Sequence, residues 1–68
     1  MQVIINNRKL KFDDEKLTLS QLLDKQNLLH KKGIAVAVNG DVIPSSKWSS
    51  FVLKDNDDIL IVTATQGG

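Results

Sequence analysis

An α+β domain, with one helix laid over one face of a mixed sheet of about four to five strands, is what three features of this sequence predict. Short branched apolar runs stand at Val3-Ile4-Ile5, at Ile34 to Val38 and at Ile59 to Val62. An Asn39-Gly40 dipeptide follows the middle run, and leucines at helical spacing follow a cluster of helix-start signals at Thr18. The 68 residues support one domain, because chains of this size bury only roughly 60% of their unfolded surface and cannot divide it between two cores.

The elements follow in order. Val3 to Phe12 reads as a hairpin: Val3-Ile4-Ile5, a polar turn Asn6-Asn7-Arg8-Lys9, then Leu10-Lys11-Phe12 with two-residue alternation. Thr18 as N-cap, Gln21 three residues on to complete a capping box, and Leu17 with Leu22 as a hydrophobic staple start a helix. Leu19, Leu22 and Leu23 form its apolar stripe, and Asn27 or Gly33 can stop it, which places its end between Asn27 and His30. Ile34 to Val38 is a strand, Asn39-Gly40 suits the positive φ angles of a tight turn, and Asp41-Val42-Ile43 returns. Pro44 cannot donate to a ladder and ends that strand, after which Ser45 or Ser46 caps a short helical turn carrying Trp48. Phe51 and Leu53 return to the core, Lys54-Asp55-Asn56-Asp57-Asp58 reads as a loop, and Ile59 to Thr63 is the last strand, buried on at least one face. Residues 1–64 form the domain and 65–68 a flexible tail.

Composition excludes several functions. With no cysteine, disulfides, thiol nucleophiles and sulfur-ligated metals are out. Nine basic against eight acidic residues give a net charge of +1, far from the balance of a nucleic-acid binder. The apolar runs are much shorter than the roughly 18 residues of a membrane span, and Met1-Gln2-Val3 does not open a signal peptide, so the expected compartment is the cytoplasm. A small-molecule pocket of about 300 Å³ or more needs flanking layers that so small a domain can hardly supply, so surface chemistry is expected, with the chain a monomer on its own.

The segment Val38-Asn39-Gly40-Asp41-Val42-Ile43-Pro44, Trp48 four residues beyond the proline, Leu53-Lys54-Asp55-Asn56-Asp57-Asp58-Ile59 and the final Gly67-Gly68 together resemble the thiamine-pathway sulfur carrier proteins of the ThiS type. The likeness covers the whole chain and implies a ubiquitin-like β-grasp fold. Asn56 departs from the pattern, standing where related carriers often have glycine, but asparagine tolerates a left-handed turn. The small subunit of molybdopterin synthase shares the fold and the Gly-Gly end, but Pro44, Trp48 and the short chain look more like the thiamine branch.

The resemblance implies that Gly68 carries sulfur. Glycines lack a β-carbon, so a tail of Gln66, Gly67 and Gly68 can thread a narrow channel and present an uncrowded carboxylate. A carboxylate is a poor electrophile and must first be adenylated, yet this chain has no phosphate-binding loop. ATP and Mg²⁺ therefore belong to a partner, an E1-like adenylating enzyme, and the chain binds no cofactor of its own. The resemblance further implies a cysteine desulfurase or other persulfide donor, and thiazole synthase as acceptor of sulfur from the C-terminal thiocarboxylate. The chain is then a co-substrate and not an enzyme. A non-covalent ubiquitin-like binding module is the alternative of a different class.

Other residues draw plainer readings. Strand alternation turns Leu60 and Val62 outward if Ile59 and Ile61 face the core, giving a partner surface that Ile4, Ala35 and Ala37 extend. His30, Lys31 and Lys32 complement a helix C-terminus in preference to forming a docking patch. Asp55, Asp57 and Asp58 lack the glycine and distal glutamate of a calcium loop and read as a solvated turn, so no metal is expected. Trp48 is read as packing, with its indole nitrogen on a nearby acceptor. Ser20, Ser45, Ser46, Ser49 and Ser50 have no motif setting a base beside them, and one histidine identifies no triad.

Overall fold

Two tight turns and one capped helix set the course of the chain. In the computed structural model, which describes residues 1–63, the order is β1 (Gln2–Ile5), β2 (Arg8–Lys11), α1 (Leu19–Lys25), β3 (Ile34–Val38), β4 (Asp41–Val42), a 3₁₀ turn (Ser45–Lys47) and β5 (Asp58–Thr63). The five strands form one mixed sheet in the order β2-β1-β5-β3-β4. The last strand in the chain is therefore the middle of the sheet, parallel to β1 and antiparallel to β3. This is the ubiquitin-like β-grasp arrangement, with α1 across one face. Among the described residues no helix is long and apolar enough to cross a membrane. The expected tail, residues 65–68, and the last residue of the expected domain 1–64 lie outside the described residues.

The first turn is tighter than the polar run Asn6 to Lys9 suggests. Only Asn6 and Asn7 form it, with φ of 48° and 69°, and Arg8 already pairs with Ile5. Two consecutive left-handed residues match the twist of a two-residue hairpin, and asparagine is the non-glycine residue that reaches that region most readily. Phe12 falls just past β2, although its amide still donates to the Met1 carbonyl at 2.8 Å. The second turn is Asn39-Gly40, with φ of 51° and 87°. A β-carbon on Gly40 would meet nothing within 4 Å, so glycine is needed there for its backbone angle and not for space.

The capping box at Thr18 forms as expected: Gln21 N–H donates to the Thr18 hydroxyl at 3.1 Å and Thr18 N–H to the Gln21 side chain at 2.9 Å. The helix ends at Lys25, short of the expected Asn27 to His30. Asn27, at φ 60°, closes it with a Schellman pair, its own N–H donating to Asp24 O and that of Leu28 to Leu23 O. His30, Lys31 and Lys32 are exposed and stand beyond the last turn, so they do not complement its dipole; the basic residue of that turn is Lys25.

Leu19, Leu22 and Leu23 press onto Val3, Ile5, Val36, Val38, Ile59 and Ile61, while Leu17 and Leu53 close one side. Trp48 is buried and donates from Nε1 to Ile43 O at 2.9 Å, so its role is packing with a satisfied polar handle. Phe51 is half-buried against the same core. Neither Ser45 nor Ser46 caps the 3₁₀ turn: Pro44 holds the N-cap position and no side-chain bond is made there. Ser45 and Ser46 are the first two residues inside the turn, so neither stands where a capping side chain would.

Candidate partner face and the base of the tail

β5 begins at Asp58, one residue earlier than expected, and its burial alternates. Its register with β3 pairs Val36 with Ile61 and Val38 with Ile59 on the helix side. On the opposite side it pairs Ala35 with Val62 and Ala37 with Leu60. Leu60 and Val62 are about half exposed, at 53% and 52%, and Ala35 is exposed. Ala37 and Ile4 are half-buried on the same side. The five residues singled out from the sequence thus share one face, with Ala35, Ala37, Leu60 and Val62 side by side on β3 and β5 and Ile4 beyond Asp58 on β1.

Sequence reasoning missed Val42. It pairs with Ala37 on the edge strand and is 73% exposed, so it belongs to the same patch. Its signal was available: the two-residue Asn39-Gly40 turn fixes the β3-β4 register and with it the side on which Val42 emerges. Val42, Ala37, Leu60, Asp58 and Asn6 line an open groove of about 480 Å³ on this face. At the other edge Lys9 stands beside Ile4 in register and is exposed, which puts a cation at the margin of the patch.

The acidic loop is an exposed turn at Asp55 and Asn56, as expected, but it is also a brace. Asp57 is only 8% exposed; its carboxylate accepts from Lys54 N–H at 2.7 Å and from the Asn39 side-chain amide at 2.9 Å. Asp55 accepts from Gln2 N–H at 2.7 Å, and Asn56, left-handed at φ 68°, donates its N–H to Gln2 O. Carboxylates engaged with backbone amides in this way tie the loop to β1 and to the β3-β4 turn. No group of three histidine, aspartate or glutamate side chains is placed to hold a metal among the described residues.

Two asparagine side chains grip β5 from its two sides. Asn39 accepts from Asp58 N–H at 2.9 Å while its own N–H donates to Asp58 O at 2.7 Å. Asn6 accepts from Ile61 N–H at 2.8 Å and donates from Nδ2 to Ile61 O at 3.2 Å. Beyond Thr63 come Gln66, Gly67 and Gly68, which lie outside the described residues. As for hydrolytic chemistry, Ser50 Oγ donates to Lys47 O, and no hydrogen bond among the described residues joins a serine to His30.

This arrangement can be set against known proteins. The sequence model of the ThiS family matches residues 2–68. The sulfur carrier protein ThiS of Escherichia coli K12 is 26% identical over 68 residues, with all of both chains covered. The crystal structure of a thiamine biosynthesis protein, ThiS, from Geobacter metallireducens superposes with a TM-score of 0.85 at 23% identity, again over the whole of both chains. The solution structure of a thiamine biosynthesis protein from the same organism gives 0.81 at 23% identity, covering all of this chain and 88% of that one. The two structures confirm the fold, and the family model spans residues 2–68: the chain belongs to the ThiS family.

Proposed function

We propose that this protein is a sulfur carrier for thiazole formation in thiamine biosynthesis, working in the cytoplasm as a co-substrate with Gly68 as the reacting residue. The observation that supports this most is the family match over residues 2–68, in which Gly67-Gly68 follows closely on the central strand of the sheet. A Gly-Gly end needs a rigid base and a narrow, uncrowded reach, and β5 is held on both of its edges.

The chemistry runs at partners. The Gly68 carboxylate attacks the α-phosphorus of ATP on an E1-like enzyme, which supplies the nucleotide site and Mg²⁺; pyrophosphate leaves and an acyl adenylate forms. The terminal sulfur of a persulfide, from a cysteine desulfurase or an equivalent donor, then attacks the carbonyl carbon and AMP leaves. A thiol reductant cleaves the acyl disulfide to the thiocarboxylate, from which thiazole synthase takes sulfur. Leu60, Val62, Ala35, Ala37, Ile4 and Val42 present the apolar surface by which the activating enzyme recognises the carrier.

The test is intact-mass analysis after incubation with an activating enzyme, ATP and a persulfide source, comparing the natural chain with Gly68→Ala and with Gly68 deleted. Exchange of one terminal oxygen for sulfur is expected in the natural chain, slower in Gly68→Ala, and absent after deletion, which withdraws the carboxylate by about 3.5 Å. Thermal unfolding should be the same for all three. Full thiocarboxylate formation by the deleted chain would sink the carrier reading and leave a non-covalent binding module.

A further inference from the structure

We propose that Asn6 is a positioning residue for sulfur transfer: its carboxamide clamps β5 at Ile61 and so fixes the base from which the segment ending in Gly68 departs. The inference rests on the reading of Gly68 as the reacting residue.

The geometry leaves β5 short of a neighbour at the point that matters. β1 pairs with β5 only at Ile4 with Asp58 and Ile5 with Ile59, because the chain turns away at Asn6-Asn7. The Asp57 and Ile59 carbonyls point toward β1 and accept from Ile4 and Asn6 N–H, each at 2.9 Å. Ile61 is the next residue on that edge, and no backbone of β1 remains to meet it. The Asn6 side chain takes the missing place, accepting from Ile61 N–H at 2.8 Å and donating to Ile61 O at 3.2 Å. A carboxamide carries one donor group and one acceptor on a short stem, so it can stand in for a peptide unit, and asparagine also tolerates the φ of 48° that the turn demands. Aspartate lacks the donor, and glutamine adds a methylene.

Without this clamp, Ile61 to Thr63 is held on the β3 side alone. A residue that then frays from β3 as well adds up to about 3.3 Å of slack between the last fixed point of the sheet and the reacting carboxylate. Reaction geometry is sensitive to such slack, since misplacement by about 1 Å can cost up to roughly a hundredfold in rate. Docking rests on the apolar side chains of Leu60, Val62, Ala35, Ala37, Ile4 and Val42, none of which bonds to the Asn6 side chain, although Asn6 lines the groove beside them. The loss should therefore fall more on turnover than on affinity.

The experiment compares the natural chain, Asn6→Gly and Asn6→Asp as substrates of an activating enzyme with ATP and a persulfide source, measuring thiocarboxylate formation by intact mass, with amide exchange at Ile61 followed in parallel. Glycine keeps the left-handed turn and removes the clamp. Aspartate keeps the acceptor for Ile61 N–H but sets a carboxylate oxygen against the Ile61 carbonyl. Expected for Asn6→Gly are a loss of about fivefold in kcat, KM within about twofold, and exchange at Ile61 faster by about tenfold or more, with Asn6→Asp in between. Natural kcat in Asn6→Gly, or a loss lying wholly in KM, overturns the inference. Should Asn6→Gly unfold at the assay temperature, Asn6→Asp decides, and its natural kcat would be equally fatal. A natural chain that is never adenylated would instead overturn the carrier reading, and this inference with it.

Discussion

The two faces of the sheet are cut from the same strands, yet one is dry and the other open. Val36, Val38, Ile59 and Ile61 lie under the leucines of α1, while Ala35, Ala37, Leu60 and Val62, each one position along, look away from it. Leu60 and Val62 are as apolar as the residues between them. What separates the faces is coverage: Leu19, Leu22 and Leu23 land on one side, and among the described residues nothing packs over Leu60 and Val62. Strand alternation assigns residues to sides, but only the cover makes one side a core, and an apolar surface without cover stays open to contact.

That contrast can be broken by experiment, beginning with the largest effect. Ile59→Ala empties a fully buried site in the middle of the sheet and should cost about 3 kcal/mol, lowering the melting temperature by roughly 15 °C. Asp57→Ala should cost about 1–2 kcal/mol, because it removes a buried carboxylate and strands the part-buried Lys54 amide and Asn39 carboxamide that donate to it; Asp55→Ala, in a more exposed loop position, should cost less than half as much by chemical denaturation. Leu60→Lys sits next to Ile59 on the open face and should cost no more than about 0.5 kcal/mol, while weakening capture by the activating enzyme at least about tenfold in a titration. If Leu60→Lys destabilises the protein as much as Ile59→Ala, the open face is part of the core and the comparison fails. If it leaves binding intact in a folded protein, the face is not the partner surface.

Local chemistry was legible in the sequence wherever a few adjacent residues decide the outcome. Thr18 with Gln21, Asn39-Gly40 and the strand Ile34 to Val38 are such cases, and each forms where the sequence predicts it. Trp48 needed an acceptor and found Ile43 O. The outward side of β5 followed from alternation alone. The failures are non-local. A run of carboxylates looks solvated until it is known that Lys54 N–H and the Asn39 side chain converge on Asp57, and Asn39 is 18 positions away. The clamp of Asn6 on Ile61 spans 55 positions and exists only because β5 enters between β1 and β3, an ordering that no periodicity encodes. The serine caps failed for a local reason: the turn begins at Ser45 itself, which leaves Pro44, with no capping side chain, at the N-cap position.

The position of β5 also dictates the order in which the protein can acquire its fold. Until that strand inserts, β1-β2 and β3-β4 are two hairpins with no ladder between them, and neither hairpin is stable alone in water. Inserting β5 also closes long loops, as in the contact between Gln2 and Asn56, 54 positions apart. Closing so long a loop is slow relative to making a hairpin or a helix turn. A fragment ending before Asp58 should therefore remain open, and a synthetic peptide carrying Lys54 to Thr63 should close it in trans, making this domain a natural two-piece complementation system whose reassembly reports on a single strand.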